Sequence, residues 1–251
     1  MAKPAKSDRQ KVIDELKKKQ KGAEKRRGMA IVGVCVVIAL LLVGAAAYKS
    51  VKNWWDLRQF NDVDLASIGG PASVCGDIET KPAGGNNDHR TTGEQVIYED
   101  APPATGPHWN EGGVAPAPID KRFYTDDDRP ELEALVHNLE HGYTILWYDE
   151  SIADDSSKLT EIEGIARKLD VSDTNYRFKF IAAPWTSDDE EESGEFPEGT
   201  HVVLTHWSTK GGESEDQQVG VFQYCDEPSG EALQEFMLDY PYTDSPEPNG
   251  G

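Results

Sequence analysis

The chain has 251 residues, a formal net charge of −21 and 28% charged side chains. Such an acidic surface repels phosphate backbones, which argues against nucleic acid as a partner. The length suits one globular domain, since domains usually contain about 100 to 200 residues. The charge is unevenly distributed, because the first 28 residues hold 11 Lys and Arg against 4 Asp and Glu, whereas the remainder holds 14 against 42.

An uncharged apolar run of nineteen residues, 29–47, follows the basic head. This length matches the roughly 20 residues that a helix needs to cross a membrane. We predict a cytoplasmic tail at 1–28 and a transmembrane helix at 29–48, because basic residues stay on the cytoplasmic side. The acidic body is then expected outside the membrane of a single-pass protein. A cleaved signal peptide is the alternative, although its apolar region is usually only about 7 to 15 residues long.

A juxtamembrane segment and an irregular linker are predicted at 49–94. Trp54 and Trp55 are expected near the lipid surface, where amphipathic rings collect. Gly, Pro, Asn and Asp are frequent in the linker, which is typical of turns, and His89 is expected to be simply exposed there. We place the globular domain at 95–240, with organised structure beginning near Val96, and a disordered tail at 241–251.

The clearest helix is predicted over 129–141. Asp128 and Glu131 have the spacing of a capping box, and Pro130 fits the first turn. Gly142 supplies the backbone freedom that ends such a helix. One apolar stripe at i, i+3, i+4 and i+7 is formed by Leu132, Leu135, Val136 and Leu139.

The elements that follow include a continuous apolar and aromatic segment at 143–148, which we interpret as a central strand. Further strands are predicted at 176–183, 200–207 and 219–224, and further helices at 158–169 and 231–237. A small sheet with two or three helices is typical of the α+β class. The predicted architecture is therefore a transmembrane helix followed by one extracytoplasmic α+β domain.

Three cysteines divide by compartment. Cys35 falls inside the apolar run, where a small apolar membrane residue is expected, and Cys75 and Cys225 lie in the acidic body. An environment outside the membrane is normally oxidising, so we predict a disulfide between these two. Two free thiols that bind a metal are the alternative.

Two histidines stand four residues apart in the predicted helix, in the segment VHNLEHG at 136–142. At about 100° per residue, His137 and His141 share a face, and it is not the face of the apolar stripe. A metal ion can take two ligands from such a pair. The alternative is structural: His141 interacts with carbonyls at the helix end, and His137 binds a loop.

The string His-x-x-Glu-His also matches the inverzincin signature, in which the glutamate activates water. Glu140 is the base under that hydrolase hypothesis, and Glu213 or Glu215 is the candidate third ligand. Those two carboxylates fall in a Gly- and Ser-rich loop that suits a rigid site poorly. We therefore keep metal-dependent hydrolysis as an alternative only.

A proline-framed loop, PPATGPHW at 102–109, holds His108 at low entropic cost. With VHNLEHG, the IAAPW segment and the THW segment, it resembles the extracytoplasmic family catalogued as domain of unknown function 3105, found in actinobacteria and similar bacteria. The resemblance covers about 95–241, without the anchor. It implies a membrane-attached domain of unknown activity, and it places His108, His137 and His141 within the motifs of one family.

Other candidate residues have simpler interpretations. His206 alternates with apolar neighbours along a predicted strand, so a hydrogen-bonded sheet histidine is favoured over a fourth ligand. His201 is expected to be exposed. The acidic runs at 126–128 and 188–192 lack the ligand and glycine spacing of a calcium loop, so we interpret them as solvated loops.

These observations favour a non-catalytic role, either metal binding or support for the assembly of a membrane complex. His108, His137 and His141 are the predicted ligands, and zinc or copper(II) is the predicted ion. Methionine occurs only at Met1, Met29 and Met237, which provides no thioether set for copper(I). The competing hypothesis is a metal-free scaffold, in which the histidines only fasten the proline loop to the helix.

Overall fold

The computed structural model describes residues 8–83, 87–170, 178–212 and 214–250. The chain divides into two units, Met1–Trp55 and Asp56–Gly251. Helix α1, Asp8–Leu57, contains the described part of the first unit, and the side chains of its apolar run at 29–47 are exposed. Within the described ranges, this is the one helix that is long and apolar enough to cross a membrane.

The second unit is built on a five-stranded sheet. Its strands are β1 (Glu79–Pro82), β4 (Thr144–Tyr148), β5 (Phe180–Pro184), β6 (Val202–Ser208) and β7 (Val219–Cys225), in the order β1-β7-β6-β4-β5. Strands β4 and β5 are parallel, and the other pairs are antiparallel. A separate parallel ribbon joins β2 (His89–Arg90) to β3 (His108–Trp109).

Helices cover both faces of the sheet. They are α2 (Leu132–Glu140), α3 (Glu150–Asp154), α4 (Ser156–Leu169), α5 (Ser187–Ser193) and α6 (Gly230–Asp239). Leu146 and Tyr148 of β4 belong to one core cluster, with α4 and α6, whereas Ile145 and Trp147 belong to the other, with α2. Because successive strand residues point to opposite faces, a strand buried on both sides is apolar throughout. The α+β class is confirmed.

The predicted start of the helix at 129–141 is wrong. Helix α2 begins three residues later, and its N-cap, Glu131, makes no side-chain cap hydrogen bond. Asp128 instead closes a turn, because its Oδ1 accepts from the backbone N–H of Thr125 at 2.9 Å. The predicted stop is confirmed: Gly142 has φ +88, and a Cβ there would lie 2.2 Å from the carbonyl oxygen of Tyr242.

The segment predicted as irregular contains a strand of the main sheet. Strand β1 pairs antiparallel with β7, Glu79 opposite Phe222, while residues 96–98 form no strand. A four-residue edge strand with mostly exposed side chains carries no apolar alternation, so the sequence gives no signal for it. The predicted disulfide is present between Cys75 and Cys225, just beyond this ladder, 150 residues apart in the chain.

The acidic run at 188–192 was predicted to be a solvated loop. In the structure it lies in helix α5 instead.

The described end of the chain differs from the predicted disordered tail. The backbone N–H of Glu247 donates to the carbonyl of Glu140 at 2.9 Å. Buried Lys179 donates from Nζ to the carbonyl oxygens of His141 and Gly250, each at 2.8 Å. These bonds involve backbone groups and one distant lysine, which a pattern of apolar residues does not reveal. The tail therefore packs over the C-terminal end of α2.

Candidate metal centre

The β2–β3 ribbon and the C-terminal turn of α2 bring four imidazoles and one carboxylate together. In the ribbon His89 lies opposite His108, and the backbone N–H of His108 donates to the carbonyl of Asp88 at 3.0 Å. Helix α2 supplies His137 and Glu140, and His141 is its C-cap. The predicted ligands on the proline loop and on the helix are thus neighbours in space.

His108 is completely buried, and both its ring nitrogens face acceptors. Its Nδ1 lies 2.9 Å from the carbonyl oxygen of Gly106 and donates to it, since a carbonyl only accepts. Its Nε2 lies 3.0 Å from Oε2 of Glu140. The carbonyl therefore fixes the ring, and Nε2 is directed at the carboxylate.

His137 has the same kind of support. Its Nδ1 lies 2.6 Å from the carbonyl oxygen of Trp109, to which it donates, so Nε2 carries the lone pair of the neutral ring. That Nε2 lies 3.1 Å from Nε2 of His141. The predicted shared face of these two histidines is confirmed, with ring centroids 4.4 Å apart.

Glu140 lies at the middle of the cluster, with its side chain 2% exposed. Its Oε2 contacts His108, and Oε1 accepts from Nδ2 of Asn87 at 3.2 Å. The sequence suggested Glu140 only as a general base of a hydrolase. The structure places it among the histidines, where its carboxylate is a candidate donor to a metal.

His89 is the site residue that sequence reasoning missed. Its side chain is 44% exposed, as expected, yet its Nε2 lies 3.8 Å from Oε2 of Glu140. Its ring centroid is 5.0 Å from that of His108 and 5.9 Å from that of His137. His89 reaches the site because β2 pairs with β3. Strands of two residues leave no recognisable pattern in the sequence, so this pairing could not be predicted.

Two sets of three donors have ligand atoms that all lie within 4.8 Å of one another: His89, His108 and Glu140, and His137, Glu140 and His141. The predicted three-histidine set is distributed over both, with the rings of His108 and His137 centred 5.0 Å apart. Nitrogen ligands lie about 2.0 to 2.1 Å from zinc, so neighbouring ligand atoms are about 3 to 4 Å apart. The separations of 3.0 and 3.1 Å within the two sets meet this requirement.

Burial and neighbouring groups shift the pKa values of His137, Glu140 and His141. Burial, together with neighbouring His108, lowers the pKa of His137 to about 4. Burial and the charge of His137 lower the pKa of His141 to about 4 as well. Burial alone would raise the pKa of Glu140, but the hydrogen bond from His108 and the surrounding histidines lower it below its usual range. Neutral imidazoles and an ionised carboxylate are the forms that bind metal.

The other candidates lie elsewhere or outside the description. His206 contacts the carbonyl oxygens of Tyr143 at 3.1 Å and Asp244 at 2.6 Å, as expected for a hydrogen-bonded sheet histidine. His201 pairs with Asp149, Nδ1 to Oδ2 at 2.7 Å. Glu213, and the side chain of Glu215, lie outside the described residues.

Fold and site together define an α+β domain that carries a buried histidine–carboxylate cluster and follows a long apolar helix. The chain belongs to the family described as a protein of unknown function, DUF3105, whose model matches residues 89–250. The match includes all five members of the cluster. Comparison with curated proteins and with solved structures finds no match.

Proposed function

We propose that this protein is a membrane-anchored, extracytoplasmic metal-binding protein whose ion is held by the histidine–glutamate cluster. The orientation of His108 and His137 supports this proposal most directly. Nδ1 of each ring donates to a backbone carbonyl, so Nε2 of each ring points into the cluster. Metal-binding histidines almost always have such a partner on the other nitrogen, which sets the tautomer and the orientation. The supporting shell of a metal ligand is thus already present.

The donor chemistry favours zinc or copper(II). Imidazole suits zinc, copper, iron and nickel, whereas magnesium and calcium prefer oxygen ligands. Neither donor set contains a thiolate or a thioether. Copper(I), which prefers sulfur, is therefore a poor match.

The anchor and the topology belong to the same proposal. Helix α1 contains the apolar run. The segment before this run, 1–28, has a net charge of +7, and the body after it is strongly acidic. The disulfide between Cys75 and Cys225 suits an oxidising compartment. Both observations support a body outside the cytoplasm.

A non-catalytic role fits Glu140 better than hydrolysis. A general base needs a free carboxylate beside an open position on the metal. Glu140 is buried, and both its oxygens have polar partners in His108 and Asn87. Support for the assembly of a membrane complex remains a proposal for the wider role of such a domain.

Metal analysis of the full-length chain tests the proposal. Protein purified in detergent without a polyhistidine tag should contain a transition metal at one equivalent or more. His137→Ala should lower that content by about one equivalent, because its Nε2 is a candidate ligand atom of the cluster. His201→Ala is the matched control, because it removes a histidine of the same domain outside the cluster. Equal metal in His137→Ala and wild type would refute the site.

A metal-free scaffold is the second candidate, and the contact between His108 and Glu140 favours it. If His108 is protonated, both its nitrogens donate, and the pair is a buried ion pair that joins the proline loop to α2. Breaking such a pair by removing one partner typically destabilises by about 3 to 5 kcal/mol. The scaffold predicts no metal in the wild type and lower stability in His108→Ala.

A further inference from the structure

We propose that the cluster holds two metal ions, one bound by His89 and His108 and the other by His137 and His141, with the carboxylate of Glu140 bridging them. This inference rests on the proposed function, since it requires that metal is bound at all. It adds the number of ions, the ligands of each and the role of Glu140.

The two donor sets have only Glu140 in common. Within each set all three ligand atoms lie within 4.8 Å of one another. In one set Nε2 of His108 is 3.0 Å from Oε2 of Glu140, and in the other the two Nε2 atoms are 3.1 Å apart. Ligands about 2.0 to 2.1 Å from one ion have such separations. Each set therefore has the geometry of a separate site.

Glu140 has the capacity to bind both ions. A carboxylate has two oxygens with about four lone-pair positions, so the hydrogen bond from Asn87 to Oε1 leaves room for a metal. The rings of His108 and His137, one from each set, are centred 5.0 Å apart. This places the sets side by side, as in two-metal sites, in which the ions are about 3.5 to 4 Å apart.

The two ions differ in their exposure to solvent. His89 is 44% exposed, so the ion of its set is accessible from solvent. His137 and His141 are buried, and Gly250 of the tail packs against the ring of His141. Each ion would have two histidine nitrogens and one carboxylate oxygen as ligands. We therefore expect a chelator to remove the outer ion first.

Zinc stoichiometry of the full-length protein in detergent tests the inference. After loading with zinc and removal of unbound metal, the wild type should hold two ions per chain, and His89→Ala and His141→Gln one each. His201→Ala should keep two. One ion in the wild type would overturn the bridged pair and leave the proposed function standing, whereas binding of neither zinc nor copper(II) would refute both. Because His89 is exposed, its replacement should leave the fold intact, which circular dichroism verifies.

Copper(II) loading tests the bridge itself. Two copper(II) ions about 3.5 to 4 Å apart interact magnetically, so the paramagnetic resonance spectrum of the wild type at two equivalents should show the broadened lines and half-field signal of a coupled pair. His89→Ala, with one copper, should show the spectrum of an isolated ion. Spectra of isolated ions only, in wild type with two coppers, would overturn the bridging role of Glu140.

Discussion

Individual nitrogens determine what the cluster can bind. Nδ1 of His108 and of His137 donates to a backbone carbonyl, so only Nε2 of each ring remains for a metal or a proton. A proton on Nε2 of His108 gives an ion pair with Glu140, whereas a metal there needs the neutral ring. Protons and metal ions therefore compete for the same atoms.

Replacing Glu140 by Gln tests the charge at the centre. The amide keeps the shape of the side chain but removes the negative charge, so metal affinity should fall by about 10- to 100-fold or more. Competition with a chromophoric chelator measures it. Glu131→Gln is the control, since Glu131 is the exposed N-cap of the same helix and its side chain makes no cap hydrogen bond. An unchanged affinity in Glu140→Gln would exclude the carboxylate as a ligand.

His206 should make the domain less stable in mild acid. Burial lowers its pKa below the usual value of about 6.5, despite the opposing effect of Asp244. As the pH falls below about 6.5, His206 binds a proton in the unfolded chain but not in the folded chain, so the free energy of unfolding decreases. In chelator-treated protein, the free energy of unfolding of His206→Gln should therefore decrease less steeply between pH 7 and 5 than that of the wild type. Denaturant titrations measure this slope, and a slope equal to that of the wild type would contradict the buried neutral ring.

At the scale of elements, the end of α2 is fixed by a glycine that the tail covers. Gly142 has φ +88, and a Cβ there would lie 2.2 Å from the carbonyl oxygen of Tyr242. Gly199 has φ +79 and open space around it. Both glycines therefore have a positive φ, which disfavours other residues, but only at Gly142 would a Cβ also clash with a neighbouring segment.

Gly142→Ala should therefore destabilise the domain more than Gly199→Ala. The left-handed conformation costs an alanine roughly 1 to 2 kcal/mol at either position. Displacement of the tail at Gly142 adds to this cost and should also weaken the metal site, because the tail packs on His141. Thermal unfolding and metal content of both variants measure the difference. Equal effects would mean that the tail does not cover α2 in solution.

The sequence predicted the elements with periodic apolar residues. The stripe of α2 and the doubly buried strand β4 were recognisable because their side chains repeat with the periods of helix and sheet. Strand β1 and the β2–β3 ribbon were not recognisable in this way, since strands of two to four residues have too few side chains to repeat. His89 was missed for this reason, whereas His137 and His141 were found from their helical spacing.

The disulfide joins Cys75, which precedes the edge strand β1, to Cys225, the last residue of β7. It closes a loop of 150 residues, which on the chain-entropy model stabilises the fold by about 5 kcal/mol. Under denaturing conditions without reductant, alkylation should label Cys35 alone, and all three cysteines after reduction. Cys35→Ser should abolish the label before reduction. Labelling of Cys75 or Cys225 in unreduced wild type would contradict the bridge.

At the scale of the whole molecule, the distribution of charge and hydrophobicity along the chain matches the pattern that is typical of a single-pass membrane protein. A basic head precedes the apolar run of α1, and the family domain follows it. Basic residues that flank a membrane helix usually stay on the cytoplasmic side, so we expect the proposed metal site to face the outside. Its ions would then come from the extracytoplasmic pool.

Protease added to intact cells tests this orientation. The segment from Glu190 to Glu195 runs from α5 into the chain beyond it, at the surface of the body, and should be cleaved without lysis. A cytoplasmic protein probed in the same cells should remain intact. Protection of the segment in intact cells, with cleavage after lysis, would reverse the topology.

X-ray absorption of the full-length protein as purified, at the edge of the zinc or copper that it contains, tests the central claim most directly. Histidine and carboxylate ligation predicts a first shell of nitrogen and oxygen at about 2.0 to 2.1 Å, with the outer scattering of at least two imidazoles per ion. A shell of sulfur near 2.3 Å, or light atoms without imidazole scattering, would contradict binding by this cluster.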